Sequence, residues 1–151
     1  MNIFVVDRDP VQAAKDLCDK HVVKMILETA QMLCTTHKGG APYKPSHMKH
    51  PCTIWASVSM DNYEWLLSHG FALCEEYARR YGKRHKTQDV LEWLDANRPQ
   101  IPRIGLTPFA QAMPDEFKHY DAVEAYRNYY IGAKSKIAVW NHSTKPSWWP
   151  Y

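Results

Sequence analysis

Apolar residues recur every three or four positions over most of the chain, a spacing typical of helices with one buried face. A first helix is predicted to begin at the pair Asp9–Pro10, because aspartate caps a helix well and proline suits its first turn. The pattern predicts a break at residues 15–19, followed by a longer helix that ends around His37. The glycine pair 39–40 stops that helix.

The middle of the chain combines a loop with a long helical pattern. Residues 39–51 contain two glycines and three prolines, a composition that predicts a loop. From residue 52 to residue 82 the apolar positions keep helical spacing, so we expect a long helix there, kinked near Asp61 or Gly70.

The last third of the chain predicts two more helices separated by irregular structure. Thr87 is expected to cap a short helix that closes at residues 98–99. Four prolines predict an irregular segment over residues 99–116, and helical spacing returns for a last helix at about residues 120–140. The tail, residues 141–151, is extended and rich in aromatic side chains.

The first six residues, MNIFVV, have the composition of a strand, but no second strand is available to pair with them. We therefore expect them to form an extended arm laid across the helices. The sequence as a whole predicts an all-α fold, with one compact helical domain over residues 1–151, an extended N-terminal arm and an aromatic C-terminal tail.

Composition agrees with one globular domain. Apolar residues make up 45% and charged residues 23% of the chain, which is ordinary, whereas six Trp and nine Tyr are many. No stretch reaches the roughly 18 to 20 apolar residues of a membrane span, and the N-terminus does not resemble a signal peptide. We expect a cytoplasmic protein, in the host cytoplasm if it is viral, without a membrane partner. The cysteines lack CxxC spacing and are expected to be reduced core residues: Cys18, Cys34, Cys52 and Cys74.

Positive charge is concentrated in the second half of the chain. Residues 1–78 contain seven Lys or Arg and nine Asp or Glu, whereas residues 79–151 contain twelve and seven, so the two parts carry −2 and +5. Part of the excess is the run RRYGKRHK at residues 79–86. These cations either favour the negative end of a helix dipole or contact nucleic-acid phosphates, and the run by itself is compatible with both.

His21 and Glu28 lie seven positions apart in the apolar run LCDKHVVKMILETAQML, residues 17–33. At about 100° per residue they share one narrow stripe with Lys24, and apolar residues such as Leu27 are expected on the opposite, buried side. The stripe is either an ordinary solvent-facing one, in which Lys24 and Glu28 pair at i, i+4, or the wall of a substrate pocket.

Several kinds of chemistry lack their sequence signals. The chain contains no HExxH, no GxSxG and no glycine-rich phosphate loop. His47, His50 and Cys52 have H-x-x-H-x-C spacing, but no second ligand pair stands at zinc-finger distance. We therefore expect neither a metal nor another cofactor.

Four short segments resemble, in the same order, the phage endonuclease V family of pyrimidine-dimer DNA glycosylases. In LCDKHVVKMILE a Leu, a small residue, an Asp and a polar residue precede His21, and Glu28 follows it by seven positions, as in that family. MPDEF at residues 113–117 is similar to the family's Ile-Pro-polar-Glu-Phe segment, and SKIA at residues 135–138 to Glu-Lys-Ile-Ala in its last helix. The end of the chain, KPSWWPY, is similar to the family's aromatic C-terminus.

The resemblance implies a compact all-α fold with an N-terminal arm threading between helices. It also implies an enzyme that cuts the N-glycosidic bond of a damaged pyrimidine and then cleaves the strand at the abasic site. In that family the chain's own α-amino group attacks the sugar C1′ and forms a Schiff base. By the same resemblance, Glu28 stabilises the positive sugar and moves the proton for β-elimination, and His21 lines the pocket. An α-amino group suits this attack because its ordinary pKa of about 7.7–8.0 leaves a useful neutral fraction near neutral pH.

Three differences from the family pattern concern the substrate and the nucleophile. Leu27 and Gln31 stand where the family has phosphate-binding arginines, six and ten positions after the histidine. Asn2 is too large for efficient removal of Met1, so the acting amine is expected to be that of Met1. The arm before the histidine is also about five residues longer than in the family. The candidate catalytic residues are Met1, Asn2, His21 and Glu28.

Phosphate contacts must then come from other cations, and two tryptophans of the tail either stack in an opened duplex or pack on the core. The candidate DNA-binding residues are Lys20, Lys24, Arg79, Arg80, Lys83, Arg84, Lys134, Lys136, Trp148 and Trp149. Lys24 has two further interpretations, because it can hold Glu28 ionised or act as an alternative nucleophile.

The predicted function is that of a DNA N-glycosylase with abasic-site lyase activity on a damaged or modified pyrimidine, acting as a monomer on double-stranded DNA. Loss of the two arginines favours a base other than the thymine dimer. The alternatives are a non-catalytic helical DNA-binding module, an amine-independent N-glycosidase of modified bases, and a structural protein without a nucleic-acid role. The position of residue 1 discriminates, because an amine buried beside Glu28 favours an enzyme and a solvent-facing terminus favours a binding module.

Overall fold

Helices form all the regular structure of the protein. A computed structural model describes residues 1–151 and contains six α-helices, one short 3-10 helix and no β-strand. The all-α prediction is confirmed, and no helix is long and apolar enough to cross a membrane. The helices are α1 (Pro10–Asp16), α2 (Asp19–Thr35), α3 (Pro51–Val58), α4 (Met60–Tyr81), α5 (Gln88–Ala96) and α6 (Ala122–Ala133), and the 3-10 helix covers Asp115–Phe117.

The first two helices begin and end close to the predicted positions. The Asp9 carboxylate accepts a hydrogen bond of 2.9 Å from the Val11 N–H and so caps α1. Leu17 has an extended backbone and separates α1 from α2, inside the interval where a break was predicted. Helix α2 ends at Thr35, slightly earlier than predicted.

The single long helix predicted over residues 52–82 is in fact two helices, α3 and α4. Ser59 lies between them in an extended conformation, with φ −146° and ψ 144°. Its hydroxyl accepts a hydrogen bond from the Asp61 N–H (3.2 Å) and donates one to the Gly105 carbonyl (2.8 Å). The helix is interrupted near Asp61 because Ser59 caps α4 and is bound to a loop that is distant in the sequence. The local sequence pattern does not predict this contact.

Gly70 does not kink α4 but allows its close packing in the middle of the fold. A Cβ at this position would lie 3.0 Å from the Thr29 side chain on α2 and 3.1 Å from the Leu91 side chain on α5. Helix α4 also packs against α1 and α3, so it is the central helix of the domain. One hydrophobic core of 36 buried residues results, and all four cysteines are free and buried, as predicted.

The last helix is shorter than the predicted interval of about 120–140. It begins after Asp121, whose carboxylate accepts a hydrogen bond of 3.0 Å from the Val123 N–H. After Ala133 tertiary contacts hold the chain in turns. The Trp140 indole donates to the Asp16 carbonyl (3.1 Å), for example. Packing on α1 therefore outweighs the helical spacing of these residues.

The two predicted irregular segments, residues 39–51 and 99–116, contain no α-helix apart from the first residue of α3. Helix α5 lies within its predicted interval, but Thr87 does not cap it through its side chain. The Thr87 hydroxyl instead forms a hydrogen bond of 3.1 Å with the Tyr43 hydroxyl in the first irregular segment. The threonine therefore ties a loop to the helix start.

The N-terminal arm is buried and belongs to no helix or strand. It is not extended throughout, contrary to the prediction, because Phe4 has φ +43° and the Val6 N–H donates to the Phe4 carbonyl (2.8 Å) in a tight turn. Residues 3–6 are between 0% and 3% exposed. Two side chains from the helices bind the backbone of the arm and replace the partners of a sheet: Arg127 donates to the Val6 carbonyl (2.9 Å) and Trp65 to the Arg8 carbonyl (2.8 Å). The arm is thus fixed along the helices, and its first residues reach α2.

Candidate active site

The chain's first nitrogen lies against a buried carboxylate of α2. The Met1 amine is 3.1 Å from Oε1 of Glu28, and the two side chains are 3% and 8% exposed. The Asn2 N–H donates to the same oxygen at 3.1 Å, and the ammonium of Lys24 lies 3.7 Å from the other oxygen, Oε2. One carboxylate therefore meets a primary amine, an amide N–H and a lysine.

The side chain of Asn2 fixes the geometry of the arm at this point. Its amide donates to the Ala112 carbonyl (2.8 Å), and its carbonyl oxygen accepts from the N–H groups of Ile3 (2.7 Å) and Phe4 (3.2 Å). Asn2 is buried as a result, so the longer arm of this chain still brings the amine of residue 1 to Glu28.

His21 forms an aromatic wall beside the amine. Its ring stacks on Phe4 with 4.4 Å between ring centres, and its Nδ1 lies 2.6 Å from the Tyr130 hydroxyl. Burial lowers the pKa of His21 to about 4, and the positive charges of Lys134, Lys24 and Lys20 lower it further. The imidazole is therefore neutral at physiological pH.

These groups line one small cavity of about 120 Å³. Six of its residues were singled out from the sequence, namely Met1, Asn2, His21, Lys24, Glu28 and Lys134. Three others were missed: Phe4, Met25 and Tyr129. The apolar run MNIFVV predicted that Phe4 would be buried, but no sequence signal tells which helices it meets.

The outer face of α2 differs from the predicted one. His21 and Glu28 are 5% and 6% exposed, whereas Val23 and Leu27, which were expected on the buried face, are 37% and 41% exposed. The arm covers the side of α2 that carries His21 and Glu28, and nothing covers the opposite edge. The expectation that Leu27 is a core residue was therefore wrong. Leu27, which stands where the family pattern has an arginine, faces solvent.

The predicted DNA-binding cations fall into groups with different surroundings. Lys20, Lys24 and Lys136 are exposed, and Lys134 lies at the cavity with its ammonium 5.0 Å from the centre of the Tyr129 ring. Lys83 is exposed on the chain that follows α4. These lysines are accessible to a phosphate backbone.

The exposed arginines of the basic run form ion pairs within the protein. Arg79 and Arg84 are exposed, but Arg79 pairs with Glu76, and Arg84 pairs with two carboxylates of α5, Asp89 (2.7 Å) and Glu92 (3.1 Å). Each can meet DNA only by giving up an ion pair, which at an exposed site is worth about 0–1 kcal/mol.

Arg80 requires a correction, because its side chain is 0% exposed. It binds Glu76 (3.0 Å) and Asp19 (3.2 Å) and also donates to the carbonyls of Lys15 (2.9 Å) and Leu17 (2.8 Å). A guanidinium with all these partners cannot reach a DNA phosphate, so Arg80 ties α4 to the junction of α1 and α2.

The two tail tryptophans do not line the cavity of the amine. Trp149 is buried and packs on Trp140, with 5.0 Å between ring centres, so it is a core residue rather than a stacking group. The Trp148 indole donates to the Asp16 carboxylate (2.9 Å), and the Arg127 guanidinium lies 5.5 Å from the ring centre. Trp148 is part of a separate polar cleft of about 560 Å³.

No group of three or more His, Cys, Asp or Glu side chains is arranged to hold a metal ion. Within the H-x-x-H-x-C segment, Nδ1 of His50 accepts a hydrogen bond from the Cys52 N–H (3.1 Å) and caps α3. The Cys52 thiol is buried beside Tyr126, and burial raises its pKa to about 11. The H-x-x-H-x-C segment therefore caps α3 and places the Cys52 thiol in the protein interior.

Comparison with known proteins identifies the family of the chain. No curated protein and no solved structure matches the chain. The family described as "Pyrimidine dimer DNA glycosylase" matches residues 1–89, which include the arm, α2 with His21 and Glu28, and the central helix α4. Because the match covers more than half of the chain, the protein belongs to the pyrimidine dimer DNA glycosylase family, a family of enzymes that act on DNA.

Proposed function

We propose that the protein is a DNA N-glycosylase with abasic-site lyase activity, acting as a monomer on a damaged or modified pyrimidine in double-stranded DNA. The nucleophile is the amine of residue 1, and Glu28 is the electrostatic and acid–base residue. The distance of 3.1 Å between the Met1 nitrogen and Glu28 Oε1 is the observation that carries this proposal.

The chemistry follows from these two groups. The neutral amine attacks the sugar C1′, the bond from C1′ to the base breaks, and the base leaves with a proton. The Glu28 carboxylate opposes the positive charge that develops on the sugar, as carboxylates do in glycoside cleavage. The remaining N–H proton of the amine then moves to O4′ as the C1′–O4′ bond opens, which gives the imine and a hydroxyl on C4′. Glu28 takes a proton from C2′, and the C3′–O bond breaks with the phosphate as leaving group.

The reaction does not depend on which of the first two residues supplies the amine. With Met1 retained, its own nitrogen is the nucleophile. With Met1 removed, the nitrogen of Asn2 becomes the amine, and it lies at the same 3.1 Å from Glu28 Oε1. The anchoring of the Asn2 side chain to Ala112 supports this geometry in both forms.

Charge around the cavity supports a DNA substrate. Lys24 and Lys134 line the cavity together with its single carboxylate, Glu28, and the charge of the exposed Lys20 acts on His21, so the mouth of the cavity favours an anionic backbone. The neutral His21 ring and Phe4 form an apolar wall for the sugar. Leu27 and Gln31 stand where the family pattern has arginines, and they offer no guanidinium to a phosphate. The substrate is therefore a modified or damaged base other than the thymine dimer, in DNA that is bound through fewer phosphate contacts.

Borohydride trapping tests the proposal. The protein is incubated with duplexes that carry an abasic site, a thymine dimer or a 5-substituted pyrimidine, and the imine is reduced to a stable adduct. We expect an adduct that disappears when the amine is acetylated or extended by two residues. Glu28→Gln is expected to reduce strand cleavage by about 10²–10³-fold. Glu75→Gln, on the exposed surface of α4, serves as the matched control and leaves strand cleavage unchanged.

Two other outcomes would replace the proposal. Salt-sensitive DNA binding without any adduct or released base indicates a non-catalytic DNA-binding module. Release of a free base without an adduct indicates an amine-independent N-glycosidase. Mass measurement of the N-terminus in the same samples identifies whether Met1 or Asn2 carries the amine.

A further inference from the structure

The Tyr130 hydroxyl joins α6 to the beginning of α2. Tyr130 is fully buried, and its oxygen lies 2.6 Å from Nδ1 of His21. The Cys18 N–H donates to the same oxygen (3.2 Å), and Sγ of Cys18 lies 3.3 Å from it. The hydroxyl has a single proton, so it can donate either to the imidazole or to the sulfur.

The direction of this donation determines the tautomer of His21. If Tyr130 donates to Nδ1, the neutral imidazole carries its proton on Nε2. If Tyr130 donates to the sulfur, an Nδ1–H donates to the hydroxyl oxygen instead. O–H donors lie about 2.5–3.0 Å from their acceptors, and N–H donors about 2.7–3.2 Å. The distance of 2.6 Å therefore indicates an O–H donor, and an imidazole nitrogen also accepts better than a sulfur atom.

The ionisation states of the pair agree with this direction. Burial raises the pKa of the Tyr130 hydroxyl well above its ordinary value, so the oxygen keeps its proton. The pKa of His21 is lowered to about 4, mainly by burial, so its ring has one protonated and one free nitrogen at neutral pH. A phenol that holds a proton thus faces a nitrogen that has none.

The second nitrogen of His21 is open to the cavity of the amine. Nδ1 is used by Tyr130, which does not line this cavity, whereas the His21 ring does. Nε2 has no hydrogen-bond partner in the protein, and it does not belong to the polar atoms that are enclosed without one. The ring therefore presents an Nε2–H to the same space as the Met1 amine and Glu28.

His69 shows the opposite arrangement. Its Nδ1 lies 2.9 Å from the Pro10 carbonyl oxygen, which can only accept, so the imidazole proton is on Nδ1. Nε2 of His69 then has a free lone pair and is enclosed in the core without a partner. Two buried histidines thus carry their protons on different nitrogens, and the partner of Nδ1 decides which nitrogen is protonated.

We infer that Tyr130 is a positioning residue for His21: its hydroxyl binds Nδ1 and holds the imidazole as the Nε2–H tautomer, so that the ring offers a hydrogen-bond donor to the sugar of the substrate. The inference rests on the proposed function for its catalytic consequence, whereas the tautomer is a property of the free protein. It adds to the site a residue of α6 that does not itself reach the cavity.

The sugar oxygen O4′ is the acceptor that this donor suits. In the proposed reaction the C1′–O4′ bond opens, and negative charge develops on O4′ before it takes its proton. An N–H donor favours this charge, whereas the lone pair of the other tautomer would repel it. The cavity of about 120 Å³ is also smaller than the roughly 300–1,000 Å³ of ordinary ligand pockets, so it fits the sugar rather than a whole nucleotide.

The first measurement is a ¹⁵N NMR spectrum of the histidine rings in the free protein near neutral pH. We expect His21 to carry its proton on Nε2 and His69 to carry it on Nδ1 in the same spectrum. Tyr130→Phe should convert His21 to a mixture of tautomers. The matched control is Tyr63→Phe, which removes an equally buried hydroxyl that donates to the Leu94 carbonyl (2.9 Å) and should leave His21 unchanged.

This spectrum decides the inference whether or not the protein is a lyase. A proton on Nδ1 of His21 in the wild type would overturn it, and that result does not depend on how well a variant folds. An unchanged His21 tautomer in folded Tyr130→Phe would overturn it as well.

The second measurement is the rate of imine trapping on saturating abasic-site DNA, which contains O4′ but no base. Tyr130→Phe is expected to trap about tenfold more slowly at unchanged DNA affinity, because a poorly directed donor loses rate rather than binding. Tyr63→Phe should stay within about twofold of the wild type, since its hydroxyl is remote from the cavity. Equal trapping rates for the two tyrosine variants would overturn the positioning role.

Two substitutions of His21 separate the two nitrogens of its ring. The amide of asparagine reproduces the Nδ1 side towards Tyr130, whereas the longer amide of glutamine places an N–H donor where Nε2 stands. We therefore expect His21→Gln to trap about tenfold faster than His21→Asn. Faster trapping by the asparagine variant would overturn the donor role. A wild type that never forms an adduct overturns the proposed function, and the NMR spectrum then still decides whether Tyr130 fixes the tautomer.

Discussion

Glu28 and Glu76 are both buried carboxylates, but their surroundings differ. Glu28 is 6% exposed and meets an amine, an amide N–H and an exposed lysine at the edge of a cavity. Glu76 is 5% exposed and is bound by two arginines, Arg79 and Arg80. Arg80 is in turn bound by Asp19 and two backbone carbonyls.

The difference separates a buried carboxylate that holds the fold from the one that we propose takes part in a reaction. Although burial opposes it, the hydrogen bonds and charges of Arg79 and Arg80 hold the pKa of Glu76 below its usual value. These partners tie Glu76 to the junction of α1 and α2. At Glu28 the partners are an amine that can react and a lysine side chain that is 63% exposed, so the carboxylate is available to a substrate.

The largest expected effect comes from breaking the Glu76 cluster. Arg80→Met leaves Asp19 without its ion-pair partner and Glu76 with Arg79 alone, and should lower the free energy of unfolding by about 3–5 kcal/mol. Arg79→Met removes a half-exposed ion pair and should cost about 0–1 kcal/mol. Urea denaturation of both variants checks this, and similar losses for the two would contradict the role assigned to Arg80.

The next effect concerns catalysis. Glu28→Gln should reduce strand cleavage by about 10²–10³-fold, the usual cost of removing a group that stabilises developing charge, while the protein stays folded. Glu76→Gln should show the reverse, with lower stability and unchanged activity per folded molecule. Single-turnover cleavage beside thermal melting gives both quantities. Loss of activity in both variants at equal stability would remove the distinction between the two carboxylates.

Acid should destabilise the two regions in different pH windows. The folded-state pKa of His21 is about 4, below its ordinary 6.5, so the unfolded chain binds more protons and stability falls as pH decreases from 6.5 to 4. The full shift corresponds to about 3 kcal/mol as an upper bound. The pKa of Glu76 lies below its ordinary 4.5, so its contribution is present above pH 4.5 and is lost below it.

Melting temperatures between pH 7 and pH 3 check these windows. His21→Asn keeps a polar group towards Tyr130 but cannot be protonated. The melting temperature of this variant should therefore fall less than that of the wild type between pH 6.5 and pH 4, and equally below pH 4.5. His69 is fully buried with a pKa of about 4, so it also destabilises the fold between pH 6.5 and pH 4. The pH dependence of the melting temperature in this interval should therefore decrease partly in His21→Asn and further in the double variant with His69→Asn. If neither substitution changes the pH dependence of the melting temperature between pH 6.5 and pH 4, the assignment of this loss of stability to the two buried histidines is wrong.

The smallest expected effect concerns the exposed face of α2. Leu27 is 41% exposed, so Leu27→Arg should leave stability within about 0.5 kcal/mol and add one phosphate contact. The slope of log affinity against log salt should steepen by about 0.9, with a several-fold gain in DNA affinity at low salt. Val58→Arg, at an equally exposed position on α3, is the matched control. Equal slopes for the two variants would place the DNA away from this face of α2.

Much of the fold follows from local signals. Asp9 and Pro10 predicted the start of α1, the prolines and glycines predicted the irregular segments, and MNIFVV without a partner strand predicted an arm laid across the helices. The spacing of His21 and Glu28, read with the family resemblance, predicted that both would face one pocket. These predictions succeed because caps, turns and helical periodicity depend on residues only a few positions apart.

What the sequence by itself determined is therefore the all-α class, the arm and a short set of candidate groups on α2. The tertiary structure alone decided the break at Ser59, the burial of Arg80 and the exposure of Leu27. It also decided the meeting of the amine with Glu28, because these two groups come from separate parts of the chain. The physical reason is that a pattern along one helix shows which residues share a face, whereas burial and charge pairing depend on what packs against that face.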